Sequence, residues 1–448
     1  MGIHRVKLVA TIGPASDSEE ALKKLMLDGV DIFRINFSHS TPKYANNIIK
    51  IINKLNLKLK KNTGVFIDLP GPKIRTGFLP KGSLDIKEGK KYTFGPSGDI
   101  PVSEEVVHNV DRKKKILLSD GKIELKPVKL YGDKLIVRAM NSATLLDRQS
   151  VNALGLKYEK GYPTKEDISA IRFGLKHGIR TFALSFVSKK EDIIHVRKIT
   201  GKDSTLIAKI ERKEAVENFE EIASLSDVLM IARGDLGLNM DVAEVPEIQK
   251  KLIISANRMS KPVITATQML ESMTENIMPT RAEVDDVFTA ISEGTDAVML
   301  SEETAIGQHP YAAVRMLSHI IAMSKSVAAT ANYPAVDERD ALIDATVSLI
   351  QKTGIKDVVV LTKSGRSAFR LARFHLGIRI FAVTDSKSVL CALAFGRSIT
   401  PVYIDKLSGY PTTVLKKIKA ENNLKEVILV TGFKTSNRAV EGMRIIKL

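Results

Sequence analysis

One cysteine and no tryptophan occur in 448 residues. The single thiol, Cys391, cannot close an internal disulfide, and its apolar LCALAF setting reads as a buried side chain rather than a nucleophile. Aromatic residues make up only 5% of the chain. Lysine clusters such as Lys58, Lys60 and Lys61, or Lys113 to Lys115, carry no interleaved aromatics, so base-stacking surfaces are poor and nucleic acid is not the expected partner. No run of about 18 apolar residues occurs, which argues against a membrane-spanning helix. The opening MGIHRVKLVATIG has too short an apolar part and no small-residue cleavage site, so it reads as a first strand and not as a secretory leader. Position 6 is Val6, where a myristoylation signal wants Ser or Thr. These absences point to the cytoplasm and to no membrane partner.

Positive charge and a regular apolar rhythm are what the chain has in excess. Lys and Arg number 68 against 51 Asp and Glu, a net charge of +17. Solvated helix and loop faces take up most of that charge, and the field it creates gathers phosphorylated small molecules. The length allows about three domains. Strand-like runs at Val6 to Ala10, Ile32 to Ile35, Val65 to Asp68, Thr181 to Ser185, Leu206 to Ile210, Val228 to Ile231, Pro262 to Ala266 and Ala297 to Leu300 alternate with amphipathic segments. Helices are predicted at Ser18 to Leu27, Tyr44 to Leu57, Glu191 to Ile199, Val242 to Met259 and Ala282 to Ser292. Eight such units close naturally into a parallel (β/α)8 barrel, an α/β fold.

The third unit is interrupted. Between LPGPKIRTG and Asn152 the chain is rich in glycine, lysine and short alternating runs, which predicts a small β-barrel lid at 72–152 hinged at Pro70, Pro72 and the loop around Asn152. That insertion divides the barrel domain into 1–71 and 153–332. After the Asn332, Tyr333, Pro334 linker, 333–448 predicts a smaller α/β domain, with a helix near Ala341 to Gln351 and strands in VVVLTKSGRSA, IFAVTDS, TPVYID and VILVTG.

Chemistry in such barrels belongs at the C-terminal ends of the strands. Charged and hydroxyl residues gather there: Arg34, Asn36 and Ser38 after strand two, Asp68 after three, Ser185 after four, Lys209 and Glu211 after five, Gly234 and Asp235 after six, Thr267 after seven, Ser301 and Glu303 after eight. Helix caps would supply Ser, Thr, Asp and Asn, but not the arginine and lysine. Because side chains alternate along a strand, Lys209 and Glu211 leave the backbone on one side, and a neighbouring strand six brings Asp235 to the same rim. Two acidic oxygens beside a fixed ammonium suit Mg²⁺, or Mn²⁺, and an anionic substrate. Taken alone, this cluster fits any magnesium-dependent barrel that forms an enolate, a lyase of the aldolase type included; a silent basic nucleic-acid binder is the remote rival.

The ordered motifs resemble those of pyruvate kinases: VATIGPAS from Val9, FRINFSHS from Phe33, DLPGPKIRTG from Asp68, KIE from Lys209, ARGDLG from Ala232, KPVITATQMLESM from Lys261, PTRAEVDDV from Pro279, MLSEETAIGQHP from Met299 and TKSGRSA from Thr362. The resemblance implies a barrel domain, an inserted lid, a C-terminal effector domain and a homotetramer. It implies transfer of the phosphoryl group of phosphoenolpyruvate to ADP, giving pyruvate and ATP. Glu211 and Asp235 would hold the divalent cation, Lys209 would neutralise charge on the phosphoryl group and enolate, and Arg34 and Arg75 would grip phosphate oxygens. Substrate would also meet Ser185, Gly234, Asp235 and Thr267, with Thr267, Ser301 and Glu303 serving the proton relay. Thr11, Pro14, Asn36, His39, Tyr44 and Arg75 match nucleotide-site positions, and Asp120 matches an acid of the lid. Asn36, Ser38 and Asp68 match the side chains of a potassium site.

Departures from the family pattern carry their own expectations. Leu69 and Lys73 stand where potassium-requiring members have Thr and Glu, so the Lys73 ammonium is expected to supply the monovalent charge and K⁺ not to be required. Gln149 replaces a lysine near the nucleotide, with Arg148 as a substitute. Thr362, Lys363, Ser364, Gly365, Arg366 and Ser367 form a phosphate cradle at a helix start, competing with a plain cap by Ser364 or Ser367. The partner loop GFKTSNRAVEGM lacks the tryptophan and glycine pattern of fructose 1,6-bisphosphate users, so a different phosphorylated effector, or none, is expected.

Overall fold

The computed structural model describes residues 6–153, 161–324, 333–407, 412–422, 424–434 and 439–448. Met1 to Arg5, Gly155 of the DRQSVNALG segment, Asn332 of the linker and 435–438 of the partner loop lie outside the described residues.

Eight apolar strands, Lys7–Thr11, Ile32–Asn36, Gly64–Asp68, Thr181–Leu184, Thr205–Ile210, Val228–Ala232, Val263–Ala266 and Ala297–Leu300, close into a barrel in chain order. All pairings are parallel, and Lys7 opposite Ala297 joins the last strand to the first. Strand seven starts one residue later than the sequence predicts, at Val263, because Pro262 has no N–H for the ladder. Local signals fix the helices around it. Ser18 accepts from the Ala21 amide at the head of Glu19–Asp28, and Gly29 ends that helix at φ 119°, in the left-handed region that glycine reaches without strain. The single helix predicted at Val242 to Met259 is instead a 3₁₀ turn, Val242–Glu244, followed by a helix at Val245–Arg258. Pro246 is the cause: without an amide proton it cannot bond back to the Val242 carbonyl.

The insertion after strand three forms a lid. A six-stranded sheet, in the order Val151–Ala153, Ile116–Leu118, Ile123–Tyr131, Lys134–Ala139, Lys91–Gly95, Ile100–Pro101, and a ribbon of Ser83–Ile86 with Ala143–Leu146 enclose their own apolar core. A short helix, Glu104–Asn109, lies within it. The lid reaches back to the barrel, where Gly121, at φ 89°, sits so close to Leu238 that an added Cβ would come within 2.9 Å of it.

In the C-terminal domain the strands Ile399–Tyr403, Arg379–Thr384, Asp357–Leu361 and Glu426–Lys434 run parallel in that order. A fifth strand, Ala439–Lys447, pairs antiparallel at the edge, so most of the predicted partner loop belongs to a hairpin. Phe395 of this domain enters the barrel's interior cluster with Val9, Ile32, Phe66 and Met299, 6.0 Å from Phe66 between ring centroids. Cys391 is half-buried, and burial pushes its thiol up, which agrees with an inert side chain. Among the described residues no helix is long and apolar enough to cross a membrane.

The junction between this domain and the barrel holds a buried histidine. Both ring nitrogens of His375 lack a hydrogen-bond partner, and burial, then the nearby Arg397 charge, pulls its pKa down to about 3. At the same junction Asp296 accepts the Val263 and Arg397 amides, and burial raises its pKa to about 6. The native state thus refuses the proton that the unfolded state takes up at His375, so this contribution to stability is lost as pH falls below about 6.5. Asp296 titrates in both proteins of a comparison and cancels. His375→Asn keeps a residue tolerant of the left-handed φ of 50° and removes the titration. The variant is expected to gain about 2 kcal/mol on wild type between pH 7 and pH 5, read from urea midpoints at the two pH values; a parallel pH response would refute this.

Candidate active site

The strand ends converge on one ammonium. Lys209 is 6% exposed, and its Nζ lies 2.8 Å from Glu211 Oε1, 3.3 Å from Asp68 Oδ1 and 2.7 Å from Ser185 Oγ, to which it donates. Burial alone would discharge this lysine, but Asp68 and Glu211 hold its pKa above the usual value. Arg34 grips the other face of Asp68, its Nε and second guanidinium nitrogen both 2.7 Å from Oδ2, and reaches Thr11 Oγ at 3.1 Å. Buried Asp68, against the cost of burial, is held below the usual carboxylate range by Lys209 and Arg34.

Glu211 keeps one buried oxygen with spare acceptor capacity. Its Oε2 accepts the Phe186 amide at 2.7 Å, while Oε1 takes no hydrogen bond despite the ammonium beside it. Burial first, with Asp235 and Asp68 adding negative charge, pushes its carboxyl up. A buried carboxylate oxygen with spare acceptor capacity, crowded by a second carboxylate, fits a hard divalent cation. Among the described residues no group of three or more His, Cys, Asp or Glu forms a metal cage. Glu211 and Asp235 alone would leave coordination positions for substrate oxygens.

Beside them the turn after strand seven is strained. Thr267 and Gln268 have φ of 69° and 54°, positions that cost non-glycine residues about 1 kcal/mol or more each. Thr267 Oγ accepts the Gly234 amide at 2.8 Å and donates to the Ala266 carbonyl at 2.6 Å, so the Gly234 amide is already engaged. Glu303 takes the Ser301 amide at 2.6 Å and the Leu270 amide at 3.1 Å, clamping strand eight to the same turn. Ser301 Oγ is buried without a partner.

Comparison with known proteins decides the family. The family model "Pyruvate kinase, barrel domain" matches residues 3–314 and "Pyruvate kinase, alpha/beta domain" matches 340–446. The pyruvate kinase of Thermotoga maritima is 35% identical over 462 residues, covering 99% of each chain. The chain belongs to the pyruvate kinase family. Another relative, the pyruvate kinase of Thermococcus litoralis, is 35% identical over 90% of this chain and 89% of its own. A crystal structure of a pyruvate kinase from Cryptosporidium parvum superposes with a TM-score of 0.90 at 27% identity, covering 99% of this chain and 96% of that one. The protein is accordingly a phosphotransferase.

The remaining expected residues of a pyruvate kinase site spread from this centre towards the lid. Thr11 is buried and donates to the Leu300 carbonyl, while Pro14 stays exposed. Asn36 folds its side chain onto the Ser38 amide at 3.1 Å. His39 stands at the solvent edge; partial burial and then the charges of Arg75, Lys73 and Arg34 keep its imidazole below the usual pKa. Tyr44 is half-buried and packs against the barrel core. Arg75 donates to the Arg148 carbonyl at 3.0 Å, and Arg148 lies over the Phe78 ring. Among the described residues the Gln149 side chain bonds within its own turn, to the Asp147 carbonyl.

Lys73 has a different partner from the expected one. Its Nζ pairs with lid residue Asp120 at 3.1 Å, and the same carboxylate oxygen accepts from Ser150 Oγ at 2.7 Å. The charge facing Asp68 therefore comes from Arg34 and Lys209. Sequence reading also missed Asp167, whose buried carboxylate accepts the Gly71 amide at the lid hinge, and Arg233, whose contacts reach three segments. A charged residue directly after strand six was the available signal for Arg233.

The C-terminal cradle lies in a separate domain. Gly365, at φ 78°, precedes the helix Arg366–Ala372, and Thr362 Oγ accepts its amide at 2.9 Å. Neither Ser364 nor Ser367 caps that helix, which has no side-chain cap; the Thr362 hydroxyl closes the turn before it. Lys363, Ser364 and Arg366 are exposed, whereas Ser367 is buried.

Proposed function

We propose that this enzyme transfers the phosphoryl group of phosphoenolpyruvate to ADP and protonates the enolate to pyruvate, with Mg²⁺ or Mn²⁺ held by Glu211 and Asp235 and without a need for K⁺. The observation that carries the reading is the buried Lys209 ammonium between Asp68 and Glu211, with Arg34 locked alongside. Such a cation, already fixed and dehydrated, meets negative charge as it develops in the transition state without reorganising. The divalent ion, when bound, supplies Lewis-acid charge for the carboxylate and enol oxygen. Arg34 and Arg75 present guanidinium forks for phosphate oxygens, and Thr11, Pro14, Asn36, His39 and Tyr44 border the nucleotide. Ser185 fixes Lys209, and the Asp235 amide offers a donor for the substrate carboxylate. After phosphoryl loss a proton passes to C3 of the enolate while its oxygen becomes the carbonyl. Thr267 and the unpartnered Ser301 hydroxyl guide that proton through water, and Glu303 supports them from the backbone side.

The test is phosphoenolpyruvate-dependent ATP formation by the purified protein. No turnover with Mg²⁺ or Mn²⁺ present would refute the reading.

Independence from K⁺ rests on charge already in place. Asp68 meets two cations, Asn36 is folded onto Ser38, and Lys73 adds a third positive group beside His39. With tetramethylammonium as the only monovalent cation, activity is expected within about twofold of that in potassium. Near-zero activity restored by K⁺ would overturn this part alone. A cytoplasmic homotetramer, divided at 1–71, 72–152, 153–332 and 333–448 and taking at most a phosphorylated effector at Thr362 to Ser367, completes the proposal.

A further inference from the structure

We propose that Arg233 is a positioning residue for the protonation half of the reaction: its guanidinium holds the turn Thr267–Met269 in its left-handed form and so sets where the Thr267 hydroxyl stands against Gly234 and Asp235. This rests on the functional reading above. Of the residues assigned to substrate, cation or nucleotide, Arg233 bonds to Thr267, and there to the main-chain carbonyl and not to the hydroxyl. It is 8% exposed and opens the helix Arg233–Asn239 that carries Gly234 and Asp235. Its side chain turns away from the rim and gathers the backbone of the neighbouring strand end. One terminal nitrogen donates to the Thr267 carbonyl at 2.9 Å, the Gln268 carbonyl at 3.0 Å and Met269 Sδ at 2.9 Å, and Nε reaches the Thr267 carbonyl again at 3.3 Å. The other terminal nitrogen is anchored by Asp286 Oδ1 at 2.7 Å and Gln249 Oε1 at 3.3 Å.

The geometry of the turn explains why an arginine is needed. Two consecutive non-glycine residues in the left-handed region persist only where the surroundings over-determine them. A planar guanidinium with donors on three nitrogens can hold the turn's carbonyls and still meet an anchoring carboxylate; a lysine ammonium offers one point of attachment. Release of the turn would let Thr267 relax towards ordinary dihedrals, and its hydroxyl would leave the Gly234 amide. Gly234 and Thr267 are thus locked to each other twice, through the hydroxyl on the rim side and through Arg233 behind it.

The experiment compares wild type, Arg233→Gln, Arg233→Lys and Asp286→Asn in phosphoenolpyruvate-dependent ATP formation, in H₂O and D₂O. Arg233→Gln is expected to lose about 10²-fold in kcat with KM for both substrates within about threefold. Its solvent deuterium isotope effect on kcat should rise, because proton delivery becomes the slow step, and added guanidinium ion should restore part of the rate. Arg233→Lys should not recover wild-type kcat. Asp286→Asn leaves the arginine in place without its anionic anchor, and covers the case in which an Arg233 variant fails to fold. It should lose about tenfold in kcat with the same rise in isotope effect. An unchanged isotope effect in the folded variants, or a loss carried by KM, would overturn the role of Arg233. Wild-type inactivity would instead overturn the functional reading on which it rests, so the two failures are distinct.

Discussion

Lys209→Met is expected to lower kcat for ATP formation by about 10³-fold or more, the scale of losing a preorganised charge at a developing anion. Methionine matches the length and leaves the apolar stem in place, so the change removes the charge and little volume. The loss should fall on kcat more than on KM for ADP, because the nucleotide positions Thr11, Pro14, His39 and Tyr44 belong to other strand ends. A stability effect should accompany it. Asp68 is 1% and Glu211 0% exposed, and without the ammonium Glu211 loses the cation its carboxylate contacts at 2.8 Å. Breaking a buried ion pair from one side costs about 3–5 kcal/mol. Thermal unfolding should therefore shift down while circular dichroism at room temperature keeps the barrel signature. Activity within tenfold of wild type would remove Lys209 from the chemistry; lost activity together with lost ADP binding would point to unfolding instead.

Glu211→Gln tests the cation site by a readout separate from turnover. The amide oxygen can still accept from Phe186, so local structure should survive. What disappears is the anionic oxygen beside Lys209, replaced in part by an NH₂ group that repels the ammonium. Mn²⁺ binding, followed by electron paramagnetic resonance, is expected to weaken by about 10²-fold, and kcat at high Mn²⁺ to fall at least as far. Unaltered Mn²⁺ affinity would exclude Glu211 as a ligand.

Much of this molecule was legible because the information is local. Fully buried strands appear as short apolar runs, and the eight predicted runs coincide with the barrel strands to within one residue at nearly every end. Polar residues at the ends of those runs had to reach one rim once the strands were parallel and closed. The misses had equally physical causes. Pro246 split one predicted helix, and the edge strand Ala439–Lys447 was hidden in what read as a loop. At the site, Arg233, Asp167 and the pairing of Lys73 with Asp120 were not visible.

The sequence by itself determined the barrel, the place of the insertion, and the residues Lys209, Glu211 and Asp235 as one cluster, since strand periodicity and strand order suffice for that. Only the tertiary structure decided which charges neutralise which. Lys73 turned to the lid rather than to Asp68, Glu303 gave both oxygens to backbone amides, and Arg233 turned behind the rim to hold Thr267. Most of these partners lie tens of residues apart, and a charged side chain carries no mark of its partner. The choice among nearby acceptors follows from desolvation and distance, which exist only after the chain has closed.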